Sequence, residues 1–179
     1  MYKLKLTNLQ KDILRLLFVY AGTTLNQRRI SQILFVSQTA VMKALPGLEK
    51  EKLILIEQDK ESKRWAIQLN RDNQRIIQFK RADNLKQIYE SGLAEYLEKE
   101  FAGATIILFG SYSKGEDTKR SDIDIAVIGR KEKKADLKKF SETLERPINI
   151  NFYDVFNKIH KHLKENLCNG IVLVGGIEL

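Results

Sequence analysis

The chain has 179 residues, 43% of them hydrophobic and 30% charged, with a formal net charge of +8. That composition fits one good-sized or two small globular domains and excludes a disordered chain. No apolar run approaches the ~20 residues of a membrane-spanning helix, and the start MYKLKLTNLQ lacks the apolar stretch of a signal peptide. A single cysteine, Cys168, leaves no internal disulfide and no thiolate metal site within one chain. A cytoplasmic protein with no membrane partner is expected. The charge is uneven: residues 1–81 hold 16 Lys+Arg against 7 Asp+Glu, whereas residues 82–179 hold 15 against 16. A positive field confined to the first part suits a polyanionic partner such as nucleic acid, and equally a solvated Lys-rich surface.

In chain order, Thr7 is the expected cap of a first helix whose stripe is Leu9, Ile13, Leu16, Leu17 and Tyr20, ended by Gly22. Asn26 caps a second helix with Ile30, Ile33 and Leu34 on one face, and Ser37 a third with Ala40, Val41, Ala44, Leu45 and Leu48 inward. A strand over 53–57, a polar turn and a returning strand over 64–69 make a hairpin, with Trp65, Ile67 and Leu69 on its buried face. Residues 72–100 read as a charged helical connector, broken near Ala82-Asp83 and weakened at Gly92. Strand and helix then alternate: strands over 105–109, 123–128, 148–153 and 171–174, helices over 134–144 and 155–167. The domains expected are 1–71, a connector over 72–100, and a small α/β domain over 101–179. The overall fold class is α/β (α+β). Cys168 is expected to be buried.

The segment GSYSKGEDTKRSDIDIAVI, residues 110–128, carries the chemistry. A strand runs into Gly110-Ser111, where glycine lets the backbone approach a phosphate and Ser111 adds donors. Lys114, Lys119 and Arg120 supply positive charge. Asp122 and Asp124 stand two apart on a strand and therefore share a face, while Ile123, Ile125 and Val127 point into the core. Two adjacent carboxylates repel unless a cation sits between them, and Mg²⁺ takes oxygen ligands that it shares with substrate phosphates. Two such ions can hold the attacking and leaving oxygens of a phosphoryl displacement.

The spacing h-G-S-x-x-x-G-x(5)-S-D-x-D-h over about residues 101–154 resembles the DNA polymerase β-like nucleotidyltransferases. It is most similar to the minimal enzymes of archaea and bacteria, and more distantly to kanamycin nucleotidyltransferase and CCA-adding enzymes. The resemblance implies that Gly110, Ser111, Lys114 and Ser121 hold a nucleoside triphosphate and that Asp122 and Asp124 are the catalytic, metal-binding pair. The reaction implied is transfer of a nucleoside monophosphate to an acceptor hydroxyl of a protein or small molecule, with release of pyrophosphate. It also implies a third carboxylate on a later strand. Here that strand reads PININFYD, with Asn149 and Asn151 at the inward positions. An amide orients ligands but cannot serve as a base.

Helix, helix, helix, hairpin over residues 7–69 resembles a winged helix-turn-helix, with VSQTAVMKALPGLEKEKLI similar to its recognition helix and exit. The resemblance implies double-stranded DNA as partner and allows a homodimer. Gln38, Thr39 and Lys43 would face base edges, Arg28 and Arg29 the backbone, and Lys60, Lys63 and Arg64 a neighbouring phosphate. Pro46 falls late in that helix and is expected to kink it. The functions in view are a Mg²⁺-dependent nucleotidyltransferase with a DNA-binding module, and a nucleotide-sensing regulator or antitoxin-like repressor without turnover.

Overall fold

The computed structural model describes residues 4–58 and 64–177 and divides into two compact units, Met1–Ile76 and Ile77–Leu179. In the first unit, α1 (Asn8–Val19) opens on a capping box. Thr7 Oγ1 accepts from Gln10 N at 3.2 Å, and Gln10 Oε1 accepts from Thr7 N at 2.9 Å, so each side chain satisfies a backbone donor that the helix leaves unpaired. Asn26 and Ser37 cap α2 (Gln27–Leu34) and α3 (Gln38–Lys50) by a single bond each, accepting from Arg29 N at 2.8 Å and Ala40 N at 3.1 Å. Ile13, Leu17, Ile30, Val41 and Leu48 close the core between the three helices. Strands β1 (Ile54–Gln58) and β2 (Trp65–Leu69) form an antiparallel wing, and Leu25 bridges to Ile67. This is a winged helix-turn-helix.

One expectation for this unit needs correction. Trp65 is not inward: it is 44% exposed, whereas Ile67 and Leu69 are buried. It pairs with Gln58 at the end of the ladder away from Leu69. Pro46 lies inside α3, which runs on to Lys50. Pro46 and Met42 are four apart on the exposed face, where water can take the place of the donor that Met42's carbonyl loses. Lys60 and Lys63 lie outside the described residues.

The second unit is a four-stranded sheet in the order β5-β4-β3-β6. Its strands are β3 (Thr105–Phe109), β4 (Ile123–Ile128), β5 (Ile148–Tyr153) and β6 (Ile171–Val174). β3 is antiparallel to β4 and β6, and β4 is parallel to β5. Alternate residues feed two cores, as strand geometry requires. Ile106, Leu108, Ile123, Ile125 and Val127 pack with Leu93 and Leu97 of α5 (Leu93–Glu100) and with Phe140 and Leu144 of α7 (Lys138–Leu144). Ile107, Phe109, Ala126 and Ile128 pack on the other face with Phe156, Ile159 and Leu167.

Residues 77–100, expected as a connector, supply part of this core. In α4 (Gln74–Glu90) the buried positions are Ile76, Lys80, Asn84 and Ile88, a stripe with a spacing of four. The helix is continuous through Ala82-Asp83 and ends at Ser91-Gly92 instead, because Gly92 takes a left-handed conformation (φ 76°) that turns the chain into α5. The helix expected from residue 134 begins only at Lys138. Asp136 Oδ1 accepts from Lys138 N at 3.2 Å, and Asp136 N donates to Tyr96 Oη at 3.0 Å, which fixes a turn ahead of α7. The helix expected over 155–167 is a 3₁₀ turn (Phe156–Lys158), an extended Ile159, and α8 (Lys161–Cys168). That break lets Phe156, Ile159 and Leu167 all reach the same core. Cys168 is exposed, not buried. Among the described residues, no helix is long and apolar enough to cross a membrane.

Candidate functional site

The site forms where β3 and β4 meet α6 (Gly110–Lys114). Antiparallel pairing sets Phe109 opposite Asp124, so Gly110, the next residue, lies against the Asp124 side chain. A Cβ at position 110 would collide with Asp124 Oδ2, and the backbone there is left-handed (φ 72°). Both facts restrict the position to glycine. Parallel pairing sets Asn149 opposite Asp124 on the other side, and Asn149 Nδ2 donates to Asp122 Oδ2 at 2.9 Å. Gly110, Asp122, Asp124 and Asn149 are thereby brought together. Ser111 opens α6 beside them, and its hydroxyl makes no hydrogen bond among the described residues.

Burial, and then repulsion from Asp122, hold the Asp124 carboxyl above its ordinary range; the hydrogen bond from Asn149 offsets part of this. A carboxylate so placed gains from a cation that neutralises the pair. The residues present fit such an ion as two carboxylates and one amide. Among the described residues, no group of three or more His, Cys, Asp or Glu gathers to hold a metal. Asp154 does not supply a third carboxylate. It follows the far end of β5, five residues beyond Asn149, about 16 Å at ~3.3 Å per residue, and it lines a separate cleft of about 350 Å³ with Gly103, Thr105 and Gly129.

The loop from Gly115 to Asp122 is braced internally. Ser121 Oγ accepts from Thr118 N at 2.9 Å, so this hydroxyl closes the turn that delivers Asp122. Lys119 is paired to Glu145 at 2.8 Å. Lys114 is half-buried at the end of α6, and Arg120 is exposed.

Beneath the loop lies a cluster that the sequence reading missed. Asp117, 1% exposed, is ion-paired to the equally buried Lys80 and accepts from Asn84 Nδ2 at 2.7 Å. Arg146 Nη2 approaches its other oxygen at 3.5 Å. Asn84 Nδ2 also donates to the Tyr112 carbonyl in α6 at 2.9 Å. The signal was present in the sequence: positions 80 and 84 fall on the inward stripe between Ile76 and Ile88, where apolar residues are the rule.

In the first unit, Gln38, Thr39 and Lys43 are exposed on one side of α3, and Arg28, Arg29 and Arg64 are exposed as well. Arg28, Gln38 and Arg64 line one groove of about 360 Å³ with Asn26, Gln27 and Trp65. Arg29, Thr39 and Lys43 lie outside it.

Residues 90–174 match the family described as "Nucleotidyltransferase domain". The second unit therefore carries a nucleotidyltransferase domain. Its match spans the strands and loop that hold Gly110, Asp122 and Asp124. No curated protein matches the chain. Three solved structures share limited likeness. MepR, a transcription regulator of the Staphylococcus aureus multidrug efflux pump MepA, is 23% identical over 54% of this chain and 70% of that one, with a TM-score of 0.41. The S. aureus MepR–DNA complex is 24% identical over 53% and 81%, with a TM-score of 0.37. Lactococcus lactis ZitR, in a cysteine-to-serine mutant form, is 23% identical over 57% and 67%, with a TM-score of 0.38. Likeness at these scores fixes nothing about ligand or action.

Proposed function

We propose that the second unit binds a nucleoside triphosphate with Mg²⁺ and transfers its nucleoside monophosphate to an acceptor hydroxyl, and that the winged helix places this unit on double-stranded DNA. The observation that carries the reading is the contact of Gly110 with Asp124 beside Asp122. Two carboxylates are held together at a cost to Asp124, next to a residue that has no side chain of its own. Such a pair suits a divalent ion that shares its remaining positions with phosphate oxygens. Gly110, Ser111 and Lys114 would meet the triphosphate; Ser121 would keep Asp122 in place. The bound Mg²⁺ would supply charge neutralisation at the transferring phosphorus. The chain's residues would orient the nucleotide, and Asn149 would hold Asp122 through its amide.

Asn149 also favours a second reading. With an amide where a base is expected and Asp154 at the far end of the strand, the unit holds the nucleotide without turnover and the chain acts as a nucleotide-responsive DNA-binding regulator. Incubation with radiolabelled NTP and Mg²⁺ separates the two. Label transfer or pyrophosphate release that is lost in Asp122→Asn and Asp124→Asn supports transfer. Metal-dependent binding without product supports the regulator, and no binding of any NTP sinks both.

A further inference from the structure

We infer that the buried Lys80–Asp117–Arg146 cluster is a positioning device that sets the nucleotide-binding loop, with Asp117 as its hub. This rests on the nucleotide reading above and names residues of the same site that do not touch the ligand.

A buried ion pair is poor evidence of a stability role, because well-packed apolar residues of similar volume often serve as well or better. Burying two cations and one carboxylate nonetheless ties their surroundings together, since a buried charge that loses its partner is left at high cost. The cluster ties the loop to α4, to α6 and to the residue that precedes β5 by two positions. Lys80 and Asn84 reach Asp117 from α4. Asn84 simultaneously bonds the Tyr112 carbonyl, one residue after Ser111. Arg146 approaches Asp117 from the turn ahead of β5, three residues before Asn149, and the Pro147 carbonyl beside it accepts from Ile123 N at 2.8 Å, between the two aspartates.

Asp117 itself lies in the loop that joins Gly110-Ser111 to Asp122. Gly115 seats that loop on α4 so closely that a Cβ would lie 2.5 Å from the Ile77 carbonyl and 2.8 Å from Arg81 N. A single carboxylate thus fixes the spacing between the phosphate-facing end of α6 and the paired aspartates. A displacement of that loop would separate the two halves of the site without unfolding the sheet.

The test uses the full chain. The variant Lys80→Met/Asp117→Leu/Arg146→Met replaces all three charges by apolar groups. It is expected to melt cooperatively, while amide exchange over residues 115–122 rises about tenfold or more and Mg²⁺·ATP binds about tenfold more weakly or worse by calorimetry. Asp124→Asn should abolish Mg²⁺·ATP binding and leave the loop's exchange unchanged. Parental exchange over 115–122 in the folded triple variant overturns the proposal. If that variant does not fold, Asp117→Asn is read the same way, and unchanged exchange there overturns it equally. A parent that binds no Mg²⁺·NTP refutes the nucleotide reading, and the exchange measurement still decides the role of Asp117.

Discussion

Three residues show how tightly local geometry constrains substitution. Gly110 is left-handed and in contact with Asp124, so Gly110→Ala meets both a backbone penalty of about 1 kcal/mol or more and a clash with the carboxylate. Loss of Mg²⁺·ATP binding with the fold retained is expected, measured by calorimetry beside a circular dichroism melt. Asp124 makes a thermodynamic statement of its own. Its folded carboxyl is raised above the ordinary range, so the native state binds more protons than the unfolded chain across that window, and stability falls as pH rises through it. In metal-free buffer at neutral pH, Asp124→Asn should therefore raise the melting temperature, and the gain should vanish below the ordinary carboxylate range. Phe35 is the third. It ends α2 in a left-handed conformation and is 95% exposed, so Phe35→Gly should stabilise the first unit by up to ~1 kcal/mol. A melt unchanged or lowered would show that the ring has a role the structure does not display.

At the scale of elements, the caps and strands were the most legible from sequence, because their signals are local. Thr7, Asn26 and Ser37 each stood before an apolar stripe, and all three make the bond that defines a cap. Strand β4 could be read from alternation, and with it the shared face of Asp122 and Asp124. What escaped was decided over long distances. No local pattern says that Asn149 bonds Asp122 across 27 positions, or that Lys80 turns inward to meet Asp117 across 37. α4 was misjudged for the same reason: charge on a helix reads as solvent-facing until a buried partner of opposite sign is found. Removing Lys80 alone should cost about 3–5 kcal/mol, the penalty for breaking a buried pair. The wing offers its own reporter, since Trp65 is the chain's one tryptophan and is half-exposed between Arg28 and Arg64. Titration with duplex DNA should change its emission, and the affinity should fall steeply with salt. Gln38→Ala, Thr39→Ala and Lys43→Ala should alter sequence preference; a triple variant with the parental preference would remove α3 as the reading element.

Across the whole molecule, the excess of positive charge in residues 1–81 coincides with the winged-helix unit, and the near-neutral remainder with the nucleotidyltransferase domain. The fold divides close to where the charge distribution does. It does not divide where the hydrophobic pattern suggested, because the line between the units falls inside α4, after Ile76. A protein assembled from exchangeable parts is usually cut in loops. Here a cut at residue 101, where the strand-helix alternation begins, would strip Lys80, Asn84, Ile88, Leu93 and Leu97 from the second unit and leave Asp117 facing an empty groove. A fragment of residues 77–179 should give a dispersed amide spectrum, and one of residues 101–179 should not. For the history of such a chain, recombination can trade the winged-helix part only by a crossover that keeps nearly all of α4 with the nucleotidyltransferase domain. That helix is inherited as a component of the site it supports.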